Sequence, residues 1–420
     1  MINMNKIVYQ KIKGTRDYYF EEALKLEFVN NKLREIAKNY YFKPIKLPTL
    51  EYQSLFQKTV GNDTDIVNKE MYQISDRKNR KIVLKPEGTA STMRLILENK
   101  LLENKQNDLR FFYFENMFRY ERPQKGRQRE FLQFGVEFIN SSSIYSDYEI
   151  LDLAITILEK FKIKNYHLEI NSIGSLQTRK NYIKDLKNYL QTKKAELSND
   201  SKIRFENNVL RILDTKDQND LLLLKDAPKI IDYLKKEEKD DLNLIIKFLE
   251  EKKINYKINP FLVRGLDYYN NLVFEFVGDK NNILGAQATI IGGGRYDSLL
   301  NNLDHTKDAK AIGFALGIER LMLIANDYIE KNYSKELYYV ILPISEEYYE
   351  KGYKLGQYLR NKNKNVYINY NKQKFNKKLL WSIKNNFDFA IIVGNEIKNN
   401  KIILKDIKSK KEKEISIDKI

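Results

Sequence analysis

Alternating apolar and polar residues predict a hairpin of two strands over Arg110–Asn140. The period of a strand divides the second strand into two faces, Leu132, Phe134, Val136 and Phe138 against Phe131, Gln133, Gly135 and Glu137. It divides the first into Phe112, Phe114 and Phe118 against Tyr113, Glu115, Met117 and Arg119. The hairpin then presents Arg119, Gln133 and Glu137 together, as a floor for a polar ligand. Gly135 lacks a side chain, and we expect it to leave room for a ligand against the backbone.

The connection between the two strands, Glu121–Glu130, is too long and too charged for a minimal hairpin turn. The cations that accompany it are Arg119, Arg122, Lys125, Arg127 and Arg129. Such a loop suits a polyanion, although a charge run is also typical of a solvated surface hairpin. The polar floor beside the loop favours the binding interpretation.

Helical spacing of apolar residues predicts helices over the ranges Glu22–Tyr40, Ala90–Glu98 and Ser146–Lys160. Extended segments are predicted at Ile45–Pro48, within Thr59–Ala90 as a strand pair, and at Tyr166–Asn171, Ile258–Val277 and Ile290–Tyr296. Ala311–Ala325 is predicted as a strand, a glycine-permitted turn and a helix. Arg320 then falls in the first turn of that helix, where a cation is disfavoured unless an anion compensates it.

Two further regions differ from this pattern. Ser175–Lys253 is almost wholly helical in pattern, rich in lysine and without glycine, which fits an inserted helical domain or a solvated helical hairpin. After a predicted linker at Asn326–Lys335, strands and helices alternate to the end of the chain, as in a small α/β layer. The last region closes with a lysine-rich hairpin over Lys398–Lys419.

Composition narrows the possible chemistry. The 420 residues include no cysteine, which excludes disulfides, thiolate nucleophiles and cysteine-ligated metal sites. With His167 and His305 as the two histidines, a multi-histidine metal site is disfavoured. We expect the chemistry to rest on arginines, carboxylates and tyrosines. The start of the chain shows no signal-peptide core, and no apolar run of about 18 residues predicts a membrane span, so a cytoplasmic protein is expected.

The formal net charge of +17 suggests a polyanionic partner, because Lys and Arg gain affinity by releasing counterions from phosphates. Lysine is abundant along the whole chain, which weakens this argument taken alone. The distribution is more informative, because Glu336–Ile420 holds 18 Lys and Arg against 10 Asp and Glu. The last fifth of the chain therefore carries about half of the net charge.

Several stretches resemble one family. FRYERPQKGRQREFLQFGVEF, starting at Phe118, resembles motif 2 of the class II aminoacyl-tRNA synthetases in the version found in histidyl-tRNA synthetases. RGLDYYN, starting at Arg264, resembles a string distinctive of the same family. The long first helix with its proline-ended strand resembles motif 1, and Ala311–Ala325 resembles motif 3. Asn62 and Lys85 depart from the family, which often has an acid and an arginine there.

The resemblance covers essentially the whole chain and implies a fold. It implies an α+β catalytic domain on a mostly antiparallel sheet over residues 1–334, with a helical insertion at 175–255. It also implies a C-terminal α/β anticodon-binding domain over 335–420. A homodimer is implied as well.

The resemblance also implies the site. It assigns catalysis to Arg119 and Arg264. It assigns substrate binding to Glu87, Gly88, Thr89, Gln133, Glu137, Tyr268, Tyr269 and Tyr296. It assigns ATP binding to Arg119, Glu121, Arg127, Arg264 and Arg320, and the tRNA acceptor end to Arg122 and Gln124. ATP enters with Mg²⁺ as a substrate complex, and neither a tightly bound cofactor nor a protein metal site is expected.

Some of these residues have a plainer alternative. Glu87 and Thr89, in PEGT, are also suited to capping the next helix, and an arginine before a glycine is often a surface residue. IIGGGRY, starting at Ile290, allows either close approach of a ligand or a simple tight turn.

The activity implied is ATP-dependent charging of tRNA(His) with L-histidine through a histidyl-adenylate. The alternatives are the catalytically inactive paralogue, the regulatory subunit of ATP phosphoribosyltransferase, and another class II synthetase such as the threonyl or prolyl enzyme.

Overall fold

The computed structural model describes residues 9–61, 64–103, 108–278, 289–333 and 336–420. The chain forms two compact units, Met1–Tyr333 and Ser334–Ile420. Each unit has a sheet of its own with helices packed against it.

The elements of the first unit follow in chain order. Its helices are α1 (Glu21–Asn39), α2 (Gln53–Thr59), α3 (Thr89–Glu98), α4 (Ile144–Lys160), α5 (Leu176–Gln191), α6 (Asn199–Asn207), α7 (Gln218–Leu224), α8 (Lys236–Glu251), α9 (Leu299–Leu303), α10 (Ile318–Ile324) and α11 (Asn326–Asn332). Its strands are β1 (Lys43–Pro44), β2 (Leu50–Tyr52), β3 (Gln73–Ser75), β4 (Lys81–Leu84), β5 (Leu109–Phe118), β6 (Glu130–Ile139), β7 (Tyr166–Ser172), β8 (Tyr256–Ile258), β9 (Asn270–Gly278), β10 (Thr289–Arg295) and β11 (Ala311–Gly317). A π turn covers Ile66–Glu70, and 3₁₀ turns cover Lys194–Glu196, Val209–Asp214 and Ile230–Tyr233.

The large sheet has the order β1-β5-β6-β11-β10-β9-β7-β8 in the described part of the chain. Its central pairs are antiparallel, and the parallel pairs, β1 with β5 and β7 with β8, lie at the two edges. A smaller sheet has the order β2-β4-β3. The prediction of a mostly antiparallel sheet is confirmed.

Strands β5 and β6 form the predicted hairpin, in a register that pairs Tyr113 with Gly135 and Glu115 with Gln133. The apolar face of the hairpin packs into the main core together with α1 and α4. The opposite face carries Gln133 and Glu137, as the alternation predicts. The two faces follow from the strand period alone, because successive side chains must point to opposite sides of a sheet.

Two predictions from the sequence are wrong. The predicted linker at Asn326–Lys335 contains helix α11, which forms because Ile329 is buried in the main core and the Tyr328 ring packs against α1; residues 334 and 335 lie outside the described ranges. Ile258–Val277 is not one continuous strand, since residues 259–269 are irregular between β8 and β9. The Asn171 side chain donates to the carbonyls of residues 260 and 262 and holds this loop out of the sheet ladder.

In the sequence, helices α5 to α8 lie between β7 and β8, which form the parallel pair at one edge of the large sheet. The segment buries Tyr182, Leu186 and Leu190 completely. These side chains join a core cluster that also includes Tyr268 of the loop before β9 and Tyr296, which follows β10. The helical segment is therefore packed against the rest of the first unit, which a solvated helical hairpin would not be.

The second unit alternates strands and helices as predicted. Its elements are β12 (Tyr338–Pro343), α12 (Tyr349–Asn361), β13 (Asn365–Ile368), α13 (Phe375–Lys384), β14 (Phe389–Val393), β15 (Lys401–Asp406) and β16 (Glu412–Ser416). Short 3₁₀ turns cover Glu346–Tyr348, Asn395–Asn399 and Ile417–Lys419. The sheet order is β13-β12-β14-β15-β16, with β12, β13 and β14 parallel and the last two strands forming the predicted lysine-rich hairpin.

In the described ranges of both units, no helix has the length and apolar character that crossing a membrane requires.

Candidate active site

A cleft of about 1130 Å³ lies over the polar face of the large sheet. The predicted site residues that line it are Glu87, Thr89, Arg119, Glu121, Arg127, Gln133, Arg264, Tyr268, Tyr269, Tyr296 and Arg320. These residues come from segments far apart in sequence, and the sheet brings them to one place. Four other predicted residues, Gly88, Glu137, Arg122 and Gln124, do not line it and are described below.

Glu137 lies directly beneath the floor of the cleft and is almost completely buried, with 1% of its surface exposed. The Thr89 hydroxyl donates to its Oε1 across 2.8 Å, and the Tyr113 hydroxyl donates across 3.3 Å. The Tyr296 hydroxyl donates to Oε2. Burial, with the nearby charge of Glu87, raises the pKa of Glu137 to about 8, although the three hydroxyls oppose this shift. The carboxylate therefore sits behind two residues that line the cleft.

Glu87 caps a helix and also lines the cleft. Its carboxylate accepts hydrogen bonds from the backbone N–H groups of Thr89 at 2.7 Å and Ala90 at 2.8 Å, which caps the start of α3. The Tyr268 hydroxyl donates to the same carboxylate across 3.4 Å. Burial raises the pKa of Glu87 in spite of these hydrogen bonds. A capping role and a position in the cleft are therefore compatible.

The Tyr113 ring fills space that the sequence assigned to a ligand. A Cβ atom added at Gly135 would lie 2.0 Å from Tyr113 Cζ, and one added at Gly88 would lie 2.3 Å from the same atom. The expectation of free room above Gly135 is therefore wrong. The two glycines admit the buried Tyr113 ring, which carries its hydroxyl to Glu137.

Three guanidinium groups, those of Arg119, Arg127 and Arg320, form a cationic end of the cleft. Arg320 Nε donates to the Gly126 carbonyl at 3.2 Å, and its Nη1 donates to the Thr289 carbonyl at 2.5 Å. Burial and the charges of Arg127 and Arg119 lower the pKa of Arg320 to about 10. This mutual repulsion is the electrostatic condition that a bound polyanion relieves.

Arg119 and Arg127 are held by short local contacts. Arg119 Nε donates to the Pro86 carbonyl at 2.9 Å, and its guanidinium lies over the Phe131 ring. Arg127 pairs with Glu121. Glu121 also lies 4.0 Å from Arg119, so one carboxylate is shared by two of the three arginines of the cationic end.

Arg264 enters the cleft from the irregular loop 259–269 rather than from a strand. Its guanidinium pairs with Glu275 of β9, and Thr289 Oγ1 donates to Glu275 across 2.7 Å. A Cβ atom at Gly292 would lie 2.3 Å from Arg264 Nη2, so this glycine of IIGGGRY admits the arginine itself rather than a ligand. The glycine-rich run lies within β10 and is not a tight turn.

Three buried polar atoms of residues that line the cleft have no hydrogen-bond partner within the described residues. They are Gln133 Oε1, Arg264 Nε and Glu121 Oε2, of which Glu121 Oε2 forms an ion pair with Arg127. Buried polar groups are nearly always paired in folded proteins. A polar ligand in the cleft would supply partners for Gln133 Oε1 and Arg264 Nε.

Arg122 and Gln124 lie at the exposed tip of the hairpin loop. Gln124 and Arg127 exchange two backbone hydrogen bonds, at 2.9 and 3.0 Å, around Gly126, whose φ of 72° suits glycine. The tip is thus a defined tight turn. The loop separates its cations, because Arg127 turns into the cleft while Arg122 and Lys125 face solvent.

Comparison with known proteins agrees with this geometry. A family model described as Histidyl-tRNA synthetase matches residues 14–321, and one described as Anticodon binding domain matches residues 339–420. The chain belongs to the histidyl-tRNA synthetase family. The first match contains the whole cleft, and the second contains almost all of the second unit.

Curated relatives extend this family assignment over the full chain. A protein named Histidine--tRNA ligase from Ureaplasma parvum is 43% identical and covers 99% of both chains. One of the same name from Malacoplasma penetrans is 40% identical, covering 99% of this chain and 97% of the relative. The crystal structure of apo S. aureus histidyl-tRNA synthetase superposes with a TM-score of 0.81 at 31% identity, covering 98% of each chain.

Of the two departures from the family pattern, Lys85 is completely buried. It donates to the Leu47 carbonyl at 2.9 Å and to Glu115 at 3.1 Å, while burial lowers its pKa. This synthetase-family chain therefore uses Lys85 to support the sheet beneath the cleft. Asn62 lies outside the described residues.

Sequence reasoning missed two residues of the site, Tyr113 and Glu275. Tyr113 shares the polar face of the hairpin with Gln133 and Glu137, and that alternation marks it in retrospect. Glu275 is an isolated acid between Phe274 and Phe276, in the apolar part of β9. No group of three or more His, Asp or Glu side chains in the described ranges is arranged to hold a metal ion.

Proposed function

We propose that this protein joins L-histidine to tRNA(His) at the expense of ATP, through a histidyl-adenylate. The observation that carries the proposal is the convergence of Arg119, Arg264 and Arg320 on one cleft whose floor covers the Glu137 carboxylate. A triphosphate needs such cations, and an imidazole needs groups that bond its ring nitrogens. Membership of the histidyl-tRNA synthetase family supports the same conclusion.

In the first step, a carboxylate oxygen of histidine attacks the α-phosphorus of ATP, the P–O bond to the β-phosphate breaks, and pyrophosphate leaves. Both reactants are anions, so the site must neutralise charge that develops at phosphorus. We assign this to Arg119 and Arg264, on the α-phosphate and the substrate carboxylate. Arg320 and Arg127 bind the outer phosphates, and Glu121 holds Arg127 in place.

ATP enters as its Mg²⁺ complex, and the protein residues act on the substrates rather than as ligands of the metal.

Histidine binding uses the same cleft. We assign the two imidazole nitrogens to Glu137 and Tyr268, with Gln133, Tyr269 and Tyr296 alongside. The imidazole then takes the place of the Thr89 or Tyr296 hydroxyl that covers Glu137 in the free protein. A pocket of this kind discriminates well, because a wrong amino acid leaves its buried polar groups unpaired. Glu87 and Thr89 accept the α-ammonium group, and Gly88 leaves space for the Tyr113 ring that supports Glu137.

In the second step, a ribose hydroxyl at the tRNA end attacks the acyl carbon of the adenylate, and AMP leaves. The exposed loop residues Arg122 and Gln124 contact the acceptor end. We assign residues 1–334 to the catalytic domain with a helical insertion at 175–255, and residues 335–420 to anticodon binding. The protein acts as a homodimer in the cytoplasm.

The competing function is that of a catalytically inactive regulatory paralogue. It is disfavoured because Glu87, Arg119, Arg264 and Arg320 are all present. The relatives that are 40–43% identical are also named as ligases.

The decisive experiment measures ATP–pyrophosphate exchange with each of the twenty amino acids in turn. Exchange with histidine alone supports the proposal. Exchange with threonine or proline instead assigns another class II synthetase, and no exchange with any amino acid assigns the regulatory paralogue. Charging of a tRNA(His) transcript then tests the second step.

A further inference from the structure

The loop 259–269, which carries Arg264, Tyr268 and Tyr269, is held near both ends by hydrogen bonds to strand β7 and to the end of helix α2. At its start, the Asn171 side chain donates to two loop carbonyls. At its end, the Asp267 backbone N–H donates to the Val60 carbonyl at 3.1 Å. Between these anchors, the main-chain carbonyl of Arg264 accepts a hydrogen bond from the helical segment.

That contact is made by Arg211, in the 3₁₀ turn that follows α6. Arg211 is buried, with 8% of its surface exposed, and its Nη1 donates to the Arg264 carbonyl at 3.3 Å. Its Nη2 lies 3.7 Å from a carboxylate oxygen of Asp65. The guanidinium therefore bridges the helical segment, the catalytic loop and the start of the π turn.

Two neighbouring residues of the helical segment, Asn208 and Arg204, make further contacts beside Arg211. Asn208 Nδ2 donates to Asp267 across 3.1 Å, from the residue that ends α6 to the same loop. Arg204 of α6 donates to the Arg211 carbonyl at 3.1 Å and lies 3.6 Å from Asp65. The helical segment thus contacts the loop through polar groups at both Arg264 and Asp267.

We propose that Arg211 is a positioning residue for adenylate formation, which fixes the backbone of Arg264 from the helical segment. This inference rests on the role that the proposed function gives to Arg264. Arg211 contacts the Arg264 main chain and leaves the Arg264 side chain to the cleft. Its loss changes where the Arg264 guanidinium lies relative to the α-phosphate, because a small misplacement of a catalytic group is costly.

The test uses the full-length protein and single-turnover formation of histidyl-adenylate at saturating histidine and ATP. Arg211→Ala is expected to lower the rate constant about 10- to 100-fold. The KM values for histidine and ATP in pyrophosphate exchange should stay within about twofold, since the substrate contacts themselves remain. If Arg211 only stabilised the fold, Arg211→Ala would lower the fraction of folded protein. The folded fraction would then keep the wild-type rate constant for adenylate formation.

A double-mutant comparison identifies the route. If Arg211 acts through Arg264, the variant Arg211→Ala/Arg264→Ala should be within about twofold of Arg264→Ala alone. If the double mutant is instead slower by the product of the two single-mutant factors, the inference is overturned. A wild-type rate for Arg211→Ala also overturns it. Normal exchange by Arg264→Ala itself overturns both the inference and the role of Arg264 in the proposed function, so the two failures are distinguishable.

Two further variants control for folding and charge. Lys194→Ala removes an exposed cation of the same helical segment, which pairs with Glu206, and should leave the rate unchanged. Arg211→Lys keeps the charge beside Asp65, but its single ammonium cannot also reach the Arg264 carbonyl. Should Arg211→Ala fail to fold, the lysine variant must show the same drop in rate with unchanged KM values, and a wild-type rate overturns the inference.

Discussion

The Thr89 hydroxyl donates a hydrogen bond of 2.8 Å to the Glu137 carboxylate and so joins the first residue of α3 to strand β6. Two residues before Thr89, Glu87 caps the same helix. The two buried carboxylates are therefore linked through one short segment. In the proposed function, this segment fixes the spacing between the α-ammonium group and the imidazole of histidine.

Replacing Glu137 by Gln is expected to weaken histidine binding while leaving ATP binding intact. The amide keeps the size of the side chain but replaces one oxygen with an NH₂ donor, which leaves a buried donor beside it without an acceptor. Isothermal titration should show histidine affinity reduced about tenfold, consistent with a loss of about 1–3 kcal/mol. ATP titrated into the same variant is the control. Unchanged histidine affinity would contradict the assignment.

The same substitution should change how stability depends on pH. Burial, with the charge of Glu87, raises the pKa of Glu137 to about 8, above the roughly 4.3 of an unfolded Glu. Between these values the folded chain holds a proton that the unfolded chain has lost, so the free energy of unfolding falls as the pH rises. A glutamine has no such proton.

The free energy of unfolding of Glu137→Gln relative to wild type should therefore rise from about pH 5 to about pH 8. Chemical denaturation at both pH values measures it, and Glu27→Gln controls for loss of an exposed carboxylate. A relative stability that falls over this window would refute the buried, protonated carboxyl.

Replacing Arg264 by Ala should slow adenylate formation far more than it weakens substrate binding. The proposed role is to stabilise charge that develops only in the transition state, for which loss of one donor costs about 100-fold or more in rate. Histidine-dependent pyrophosphate exchange measures the rate, and titration measures the affinities. Arg80→Ala, which removes a surface arginine paired with Asp76, is the control. Exchange at the wild-type rate counts against the role.

Replacing Arg320 by Met should abolish most of the thermal stabilisation that ATP gives, without lowering the melting temperature of the free protein. In the free protein, burial and the charges of Arg127 and Arg119 lower the pKa of Arg320 to about 10. A ligand that binds only the folded state stabilises it by mass action. Thermal melts with and without ATP test both statements, and an unchanged ATP-induced shift would be inconsistent with phosphate binding.

Replacing Gly135 by Ala should destabilise the fold by about 1–3 kcal/mol, the usual cost of overpacking. The added Cβ would lie 2.0 Å from Tyr113 Cζ, and that ring is buried. Chemical denaturation measures the loss. In a Tyr113→Leu background the same substitution should cost less, because the obstructing ring is gone. Equal costs in both backgrounds would show that the Tyr113 ring is not the obstacle.

Local patterns predicted much of the scaffold. The alternation in Arg110–Asn140 assigned Gln133 and Glu137 to one face and Phe134 and Val136 to the other, and the structure agrees. Helices α1, α3 and α4 begin and end close to the predicted bounds. The linker prediction over α11 failed because burial of Ile329, a tertiary contact, stabilises a helix that its polar sequence does not announce.

The sequence by itself determined which side chains share a face, because side-chain direction along a strand is set by covalent geometry. It also determined which segments resemble synthetase motifs. Only the tertiary structure decided what fills the space beside each glycine, with Tyr113 over Gly135 and Arg264 over Gly292. It alone joined Arg264 to Glu275 and to Arg211. Those contacts depend on the path of an irregular loop and on packing between distant segments, which no local pattern encodes.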